Sequence, residues 1–431
     1  MGCQMNEYDS DYLGQLLLDS GFYPTDNPAR ADLVLINTCA VRAKAEQKAF
    51  SLLGRIIALK KRKPHVKIAM VGCIAQKEGE RLLKRFPELD LVLGTGEIER
   101  FGEILNLVYS EGRRVSATEL RPDPIPPLSK KDYFRGRVKG FITIMQGCDN
   151  FCSYCIVPYV RGREISRPTR DILAEAENLV SQGIKEITLL GQNVNSYRSV
   201  EDAGTIDFPA LLRRLSRVEG IVRLRFTTSH PKDLSDDLIR CFAEIPNLCP
   251  HIHLPVQSGS NAVLKRMNRH YSREHYMELV SRLRETRPAI AITSDMIVGF
   301  PGETDRDFEL TLDLMQKIRF DNLFSFKYSD RKGTAAERMD DKLDEETKSS
   351  RLSILQSLQR EITLSKNREL EGQSVEVLVE GPSKKGDQWT GRTDTNKVVN
   401  FPCLSNALGD IVKVLIEKAF INSLRGALVT K

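Results

Sequence analysis

The sequence has 431 residues, of which 41% are hydrophobic and 28% charged, a composition typical of a globular protein with an ample core. Its formal net charge of +6 permits a nucleic-acid partner without requiring one. No apolar run approaches the ~18–20 residues of a spanning helix, and residues 1–7 lack the features of a secretory signal. We therefore expect a cytoplasmic location and no membrane partner.

Residues 1–120 are predicted to form a small α/β domain with a parallel sheet. Helical patterns alternate with short apolar runs that favour buried strands. Four prolines between positions 121 and 128 then indicate a linker. The predicted elements are helices around 13–18, 45–56 and 78–85, and strands at 33–36 and 67–71.

Residues 133–369 alternate strand and helix patterns again, which predicts a parallel sheet closed or partly closed into a (β/α) barrel. Residues 345–371 within this stretch favour a long charged helix. Residues 370–431 carry an alternating β pattern that predicts a small barrel of OB-like size. The strands expected in these two regions lie at 142–144, 186–190, 223–226, 251–254, 291–297, 374–379, 397–401 and 411–416.

Three cysteines, Cys148, Cys152 and Cys155, stand at C-x3-C-x2-C spacing directly after the β-like run at 140–145. Three thiolates this close can hold three corners of a [4Fe–4S] cubane. The fourth iron would stay open for S-adenosylmethionine (SAM), which reductive chemistry cleaves into a radical. A zinc site normally uses two ligand pairs, and this run has no second pair. The spacing therefore favours a catalytic radical-SAM cluster.

A second set of cysteines, Cys3, Cys39 and Cys73, is predicted to meet at one edge of the N-terminal sheet. Cys39 and Cys73 each follow a predicted strand, and the carboxyl ends of parallel strands are where such sheets gather their sites. Cys3 precedes the first helix, which places it at the same edge. Three thiols there could hold a second cluster, and three small buried residues are an equally good interpretation.

The remaining cysteines, Cys241, Cys249 and Cys403, show no ligand spacing and are predicted to be structural. His230, His251 and His253 lie near strand ends and could face the barrel cavity, although a structural role is favoured for each. Asp295 could be a catalytic carboxylate or a polar group at the barrel mouth.

Small and amide residues follow the strand at 186–190. Gly191, Gln192 and Asn193 suit contacts to a zwitterionic ligand, and a simple turn is equally compatible with them. Residues 299–304 likewise could cradle adenine or turn the chain.

Arginines follow the first cysteine run and are candidates for phosphate contacts, although a solvated basic loop would look the same. In the C-terminal barrel, aromatic and basic side chains could form a local RNA-binding face. These two sets of candidates are Arg161, Arg163, Arg167 and Arg170, and Trp389, Arg392 and Arg425.

Taken together, the two cysteine sets and their flanking segments resemble the methylthiotransferase family of radical-SAM enzymes over essentially the whole chain. Residues 157–164 and 392–401 are similar to the tRNA-modifying branch of that family. The branch that modifies a ribosomal protein usually carries a different sequence after the third cluster cysteine. The segments that carry the resemblance are 2–10, 37–42, 71–73, 148–155, 157–164, 190–195 and 254–260.

The resemblance implies three domains: an N-terminal methylthiotransferase domain (1–120), a radical-SAM core (133–369) and a C-terminal TRAM β-barrel that grips RNA (370–431). It implies two [4Fe–4S] clusters, with an auxiliary one on Cys3, Cys39 and Cys73. We expect SAM to be bound by Tyr154, Gln192, Asn193 and Gln257. We expect RNA to be contacted by Arg161, Arg163, Arg167, Trp389 and Arg392.

The implied activity is methylthiolation of C2 of N6-isopentenyladenosine at tRNA position 37. One SAM would supply a 5′-deoxyadenosyl radical, and a second would methylate the sulfur that is transferred. The expected partners are tRNA and an electron donor such as flavodoxin or ferredoxin, and we expect a monomer. Members of the family normally carry a β-strand ahead of the segment that begins at Gly2, and the sequence does not decide whether the start at Met1 is a truncation that omits it.

Two alternative functions stay open at this point. The first is a methylthiotransferase acting on an aspartate of a ribosomal protein, against which the residues at 158–164 argue. The second is a non-catalytic iron–sulfur or RNA-binding protein, against which the open three-cysteine site argues.

Overall fold

The structure is a computed structural model that describes residues 2–40, 43–121, 126–128, 132–202, 204–383, 386, 388–402 and 407–429. Cys403 and residues 122–125 of the predicted proline linker at 121–128 lie outside these ranges. Within them, no helix combines the length and the apolar character needed to cross a bilayer.

The N-terminal domain is a four-stranded parallel sheet with strand order β1-β2-β3-β4, as predicted. Its central strand β2 is buried on both faces, which is typical of a parallel sheet covered by crossover helices. The helix predicted at 78–85 is interrupted at Gly79, where α3 ends and α4 begins. The elements are α1 Gln4–Asp19, β1 Leu33–Thr38, α2 Ala43–Lys60, β2 Lys67–Gly72, α3 Cys73–Glu78, α4 Glu80–Arg85, β3 Leu91–Leu93, α5 Phe101–Ser110 and β4 Val115–Ala117.

The central region contains two three-stranded parallel sheets, β5-β8-β11 and β12-β13-β14. A parallel bridge between Leu224 and Leu248 connects them into one arc, which confirms the predicted partial (β/α) barrel. The elements are β5 Lys139–Thr143, β6 Met145–Gln146, α6 Val157–Arg161, β7 Ile165–Ser166, α7 Thr169–Ser181, β8 Glu186–Leu190, β9 Arg198–Glu201, β10 Gly204–Asp207, α8 Phe208–Leu215, β11 Arg223–Phe226, α9 Asp236–Glu244, β12 His251–His253, α10 Asn261–Arg266, α11 Arg273–Thr286, β13 Ala291–Val298, α12 Asp305–Ile318, β14 Asn322–Lys327 and α13 Glu345–Arg368.

The C-terminal region is a closed five-stranded barrel with strand order β15-β16-β17-β19-β18, as the alternating pattern predicted. Alternate side chains such as Val377, Val379 and Phe401 point inward and are fully buried. The predicted domain boundary at 369–370 falls between the end of α13 and the start of β15. The barrel strands are β15 Ser374–Pro382, β16 Trp389–Thr393, β17 Val398–Phe401, β18 Ile411–Ala419 and β19 Leu424–Leu428.

The barrel packs against the amino ends of the strands of the arc. Arg223, the first residue of β11, donates from Nη1 to the carbonyl oxygen of Arg392 at 2.6 Å. Arg225 donates from Nη1 to the carbonyl oxygen of Asp394 at 2.7 Å. Because all six strands are parallel, the barrel and the loops that follow the strands lie at opposite ends of the arc.

A buried ion pair supports this contact. Arg225 Nη2 lies 3.2 Å from Glu186 Oε2, and both side chains are almost fully buried. Although burial opposes ionisation, the charges of Arg225 and Lys139 hold the pKa of Glu186 below its ordinary value. The carboxylate is therefore stabilised by cations that also reach toward the barrel.

Replacing Arg225 by Ala is expected to lower the midpoint of thermal unfolding of the apo-protein clearly. The variant leaves the Glu186 carboxylate buried without its arginine, and breaking one partner of a buried pair costs about 3–5 kcal/mol. Arg240→Ala is the control, because its pair with Asp237 at 3.0 Å is largely exposed and such pairs contribute about 0–1 kcal/mol. Equal midpoints for the two variants would contradict a stabilising role for this contact.

Candidate active site

The first cysteine run forms a loop at the carboxyl end of the arc, between β6 and α6. Gly147 opens it with a φ of +81°, and a Cβ at this position would lie 1.9 Å from the carbonyl oxygen of Arg163. Only glycine fits such a turn. The backbone N–H of Gly147 donates to Gln192 Oε1 at 2.5 Å, and that of Cys148 donates to the carbonyl oxygen of Gly162 at 3.2 Å. The loop is therefore fixed from two sides.

The three thiols of this loop lie close enough to influence one another. Burial raises the pKa of Cys148 to about 11. Burial and the charge of Cys152 raise the pKa of Cys155 to about 12. Thiols with such pKa values stay protonated at neutral pH, whereas a thiol that coordinates a metal is deprotonated outright. Burial therefore disfavours free thiolates here, and a metal group that bound these thiols would displace their protons.

Two donors point at these sulfurs. Asn150 Nδ2 lies 3.5 Å from Cys148 Sγ, and Arg269 Nη1 lies 3.4 Å from Cys152 Sγ. Arg269 is buried and held in place by the carbonyl oxygen of Pro255 at 2.6 Å and the hydroxyl of Tyr271 at 2.8 Å. Sequence reasoning missed Arg269, which follows α10 in a stretch with no spacing signal.

Tyr154 lies between the second and third cysteines and packs beside a small apolar cluster that includes Val263, Met267 and Phe300. Burial raises its pKa well above the ordinary value. The hydroxyl therefore stays neutral, and the ring belongs to an apolar wall beside the cysteine loop. A contact between this ring and SAM remains a prediction.

The other predicted SAM contacts lie at the same end of the arc. Gln192 is engaged by the cysteine loop, and Asn193 donates from Nδ2 to Asp233 Oδ2 at 2.8 Å. Gln257 has a φ of +75°, and its N–H donates to the carbonyl oxygen of Asp295 at 2.9 Å. Ligand contacts by these three residues remain predictions.

Several buried polar atoms at this end have no hydrogen-bond partner in the described part of the chain. Because buried polar groups are normally paired, their convergence at the strand ends is typical of a ligand site. His230 is one of them: burial and the charge of Arg269 lower its pKa to about 2, so the ring is neutral. Its Nδ1 accepts from the N–H of Lys232 at 3.2 Å, which leaves the proton on Nε2. These atoms include Gln146 Oε1, Asn193 Oδ1, Ser229 Oγ, His230 Nε2 and Asp295 Oδ1.

The other two candidate histidines lie on β12 beside Thr293. His251 Nε2 lies 3.4 Å and His253 Nδ1 lies 3.1 Å from Thr293 Oγ1. His253 Nε2 lies 3.6 Å from Asp295 Oδ2. Both rings therefore contact Thr293, although His251 Nδ1 has no partner among the described residues. A structural role for these histidines remains a prediction.

The second cysteine set meets at the carboxyl edge of the N-terminal sheet. Cys39 follows β1, Cys73 follows β2, and Cys3 caps the amino end of α1. A hydrogen bond with Cys39 is the main cause that lowers the pKa of Cys3 to about 6. Burial raises the pKa of Cys73, and the charge of Cys3 adds to this shift. The three thiols are therefore near neighbours.

Hydrogen bonds of amide side chains connect the segments that carry these cysteines. Asn6 Nδ2 donates to Asn37 Oδ1 at 2.9 Å, and Asn37 Nδ2 donates to the carbonyl oxygen of Asn6 at 2.8 Å. Gly72 has a φ of +90°, and a Cβ there would lie 2.6 Å from Asn37 Oδ1. Glycine is thus required at position 72 for the loop with Cys73 to approach the segments with Cys3 and Cys39.

Among the described residues, no three His, Cys, Asp or Glu side chains are placed to hold one metal ion. An iron–sulfur cubane has a different requirement, because each thiolate binds a separate iron. Three thiols in each set are the donors that a cubane with one open iron uses, so the residue types present fit such a cluster.

Two of the predicted RNA contacts are wrong. Arg161 is buried and its Nη2 lies 2.5 Å from Asp9 Oδ2. Arg167 is also buried, with Nη2 2.7 Å from Glu175 Oε2. Both guanidinium groups are held inside the protein by carboxylates, so RNA phosphates cannot reach them.

The other predicted RNA contacts lie nearer the surface. The Arg163 side chain is 73% exposed, and its Nη1 lies 3.3 Å from Asp149 Oδ1. In the barrel, Trp389 is half-buried against the core, and Arg392 Nε lies 3.4 Å from Glu380 Oε1. Contacts of these three residues with RNA remain predictions.

Comparison with known proteins supports the domain order. Residues 142–315 match the Radical SAM superfamily, and residues 368–429 match the TRAM domain. Residues 1–94 match the family described as Uncharacterized protein family UPF0004. A solved structure with a similar fold is TsrM, a radical S-adenosylmethionine methyltransferase from Kitasatospora setae with cobalamin and a [4Fe-4S] cluster bound. The TM-score is 0.57 at 20% identity, over 77% of this chain and 74% of that one, a likeness of fold alone.

Curated relatives match from end to end. The tRNA-2-methylthio-N(6)-dimethylallyladenosine synthase of Geobacter sulfurreducens is 52% identical over 100% of this chain and 96% of its own length. The enzyme of the same name from Syntrophus aciditrophicus is 50% identical over 100% of this chain and 93% of its own. These matches confirm the resemblance to radical-SAM methylthiotransferases and favour the tRNA-modifying branch. The chain therefore belongs to the tRNA-2-methylthio-N(6)-dimethylallyladenosine synthase family of radical-SAM enzymes.

Proposed function

We propose that this enzyme converts N6-isopentenyladenosine at tRNA position 37 to its 2-methylthio derivative. The observation that carries the proposal is the pair of three-thiol sites at strand ends, in a chain 52% identical to a tRNA-2-methylthio-N(6)-dimethylallyladenosine synthase. A ribosomal-protein substrate is not favoured, because the end-to-end relatives are named for tRNA. The proposed setting is a cytoplasmic monomer that receives electrons from flavodoxin or ferredoxin.

The proposed cofactors are two [4Fe–4S] clusters and SAM. When bound, these groups supply the radical that activates the base and the methylated sulfur that is transferred. The chain's own part is to hold each group with three thiolates and to leave one iron of the catalytic cluster free. The proposed ligands are Cys148, Cys152 and Cys155 for that cluster, and Cys3, Cys39 and Cys73 for the auxiliary one.

The polar residues at the mouth of the arc would bind and orient SAM. The unpartnered Asn193 Oδ1 can accept from an ammonium group, and the His230 Nε2–H can donate to a carboxylate or hydroxyl. Gln257 lies at the same end of the arc and is proposed to contact SAM as well. Tyr154 provides an apolar surface for adenine, and the buried Arg269 keeps a positive charge beside Cys152.

Incubation with isopentenylated tRNA, SAM, a sulfide source and a reductant is expected to yield 2-methylthio-N6-isopentenyladenosine, measured by mass spectrometry of the digested nucleosides. Cys152→Ala removes a ligand of the catalytic cluster and should abolish the product. Cys241→Ala is the control, because Cys241 is buried away from both cysteine sets and its loss should leave the product largely intact. Unmodified tRNA alongside a methylthiolated ribosomal protein would contradict the proposal.

An exposed aromatic surface beside the catalytic cysteines suits an RNA loop. Phe151 and Tyr159 are 36% and 48% exposed, and their rings meet edge to face at 6.3 Å. Arg163 lies over the Phe151 ring at 4.7 Å. Phe151 has a φ of +44°, which is strained for a bulky residue. Splayed RNA bases stack on such rings and on guanidinium planes, so we assign this surface to the nucleotides around the target base.

The TRAM barrel would contact a different part of the tRNA. It packs at the amino ends of the arc, while the cysteine loop lies at the carboxyl ends. Strand β8 separates the two ends by five residues, or about 16 Å at the usual rise. An RNA that touches both Phe151 and Trp389 must therefore run along the side of the arc.

Phe151→Ala and Arg163→Ala are both expected to weaken tRNA binding, measured by filter binding over a series of salt concentrations. Arg163→Ala should reduce the slope of log affinity against log salt by about one, because one phosphate contact is lost. Phe151→Ala should cost about 1–3 kcal/mol of stacking with the slope unchanged.

Tyr23→Ala is the matched control for that experiment. Tyr23 is 86% exposed but precedes β1, at the edge of the N-terminal sheet opposite Cys39. Its replacement should leave both affinity and slope unchanged. Equal binding by all three variants and the unmodified protein would contradict an RNA contact at this surface.

A further inference from the structure

A buried ion pair joins the domain that carries the second cysteine set to the arc. Arg161 is the last residue of α6, six positions after Cys155, and Asp9 lies in α1, six positions after Cys3. Their side chains are 3% and 1% exposed, with Nη2 2.5 Å from Oδ2. The pair therefore crosses between the two cysteine-bearing parts of the chain.

The pair leaves a donor without a hydrogen-bond partner. Arg161 Nη1 is fully buried and bonds to no other group within the described ranges of the chain. A buried guanidinium is tolerated when its remaining N–H groups are satisfied as well as its charge. Asp9 therefore satisfies only one of the two terminal nitrogens of Arg161.

Sulfur atoms at the second cysteine set are the candidate acceptors for Arg161 Nη1. Helix α6, which ends at Arg161, packs on α3, which begins at Cys73, and Val160 and Cys73 are buried in the same apolar cluster. Arginine is always protonated, and its rigid fork can bond Asp9 with one nitrogen while the other reaches elsewhere. A group bound by the three thiolates would place sulfur atoms beside the free Nη1.

We propose that Arg161, held by Asp9, is a positioning residue that donates from Nη1 to a sulfur of the auxiliary cluster. This rests on the proposed assignment of a [4Fe–4S] cluster to Cys3, Cys39 and Cys73. A positive charge and a hydrogen bond to sulfur stabilise the reduced, more negative cluster, and so raise its reduction potential. The arc domain thereby sets the potential of a cluster whose ligands all belong to the N-terminal domain.

A purely structural role for Arg161 predicts something different. Arg167 bridges the same two regions, since its Nη1 lies 3.3 Å from the Tyr8 hydroxyl while Nη2 pairs with Glu175. Loss of either arginine would loosen the junction between the domains. Only loss of Arg161 should alter the auxiliary cluster itself, so Arg167→Gln is the matched control.

The test is a redox titration followed by electron paramagnetic resonance on the reconstituted full chain. Cys148, Cys152 and Cys155 are replaced by Ala so that the auxiliary cluster alone gives the signal. Arg161→Gln is expected to shift the midpoint potential to a more negative value, and Arg167→Gln is expected to leave it unchanged. Equal potentials for Arg161→Gln and its parent, or equal shifts for both arginine variants, would overturn the proposal.

Arg161→Lys covers the case in which Arg161→Gln fails to assemble the cluster. The ammonium keeps the buried charge beside Asp9 but cannot bond the carboxylate and a sulfur with the same fork geometry. We expect a smaller negative shift, and an unchanged potential would overturn the proposal.

The outcome also separates this inference from the proposed function. An auxiliary cluster that forms, in an enzyme that methylthiolates tRNA, with a potential insensitive to Arg161 overturns the inference alone. Absence of any cluster on Cys3, Cys39 and Cys73 in the otherwise unchanged chain overturns both.

Discussion

Parallel strands joined by crossover helices all end at the same edge of their sheet, and the site depends on this constraint. In the N-terminal sheet it brings the loops after β1 and β2 together, so that Cys39 and Cys73 meet Cys3 at the start of α1. In the arc it places the loop with Cys148, Cys152 and Cys155 among the ends of the other strands. Topology supplies the approximate positions, and Asn37 with Gly72 fixes the spacing of the second cysteine set, Cys3, Cys39 and Cys73.

The buried polar groups differ between the amino ends and the carboxyl ends of the strands of the arc. At the amino ends, buried charged side chains such as Glu186 and Arg225 are paired with each other and with carbonyl oxygens of the barrel. At the carboxyl ends, buried atoms such as Asn193 Oδ1 and His230 Nε2 have no partner in the described part of the protein. The paired charges stabilise the contact with the barrel, although Arg225 Nε also has no partner among the described residues. Unpartnered polar atoms at the carboxyl ends are compatible with a place that receives a ligand. This is the division between stability and chemistry expected of a (β/α) barrel.

The sequence predicted those features that depend on local spacing. The C-x3-C-x2-C run, the placement of Cys39 and Cys73 after strands, and the alternation in the C-terminal barrel all lie within short windows. Strands such as Leu91–Leu93 and Val115–Ala117 went unpredicted because three residues carry too little periodicity to recognise. The strand Asn322–Lys327 was also missed, because at the edge of its sheet it lacks the continuous apolar run of the inner strands and only Leu323 is buried.

The sequence did not predict charged contacts between distant parts of the chain. Arg161 and Asp9 are 152 positions apart, and Arg225 reaches a carbonyl oxygen 169 positions away. No local pattern distinguishes such an arginine from one that faces solvent. Arg163, two residues from Arg161, is exposed, so the basic stretch after the cysteine loop contains both kinds. Only the folded chain separates them.

The central claim is that two separate three-cysteine sites each hold a [4Fe–4S] cluster, and iron and acid-labile sulfide analysis tests it most directly. After anaerobic reconstitution we predict about eight iron and eight sulfide per chain. Cys39→Ala and Cys152→Ala should each lose about half of both, because each removes a ligand from a different site. A wild-type content of about four, or loss of all iron in either variant, would contradict the account.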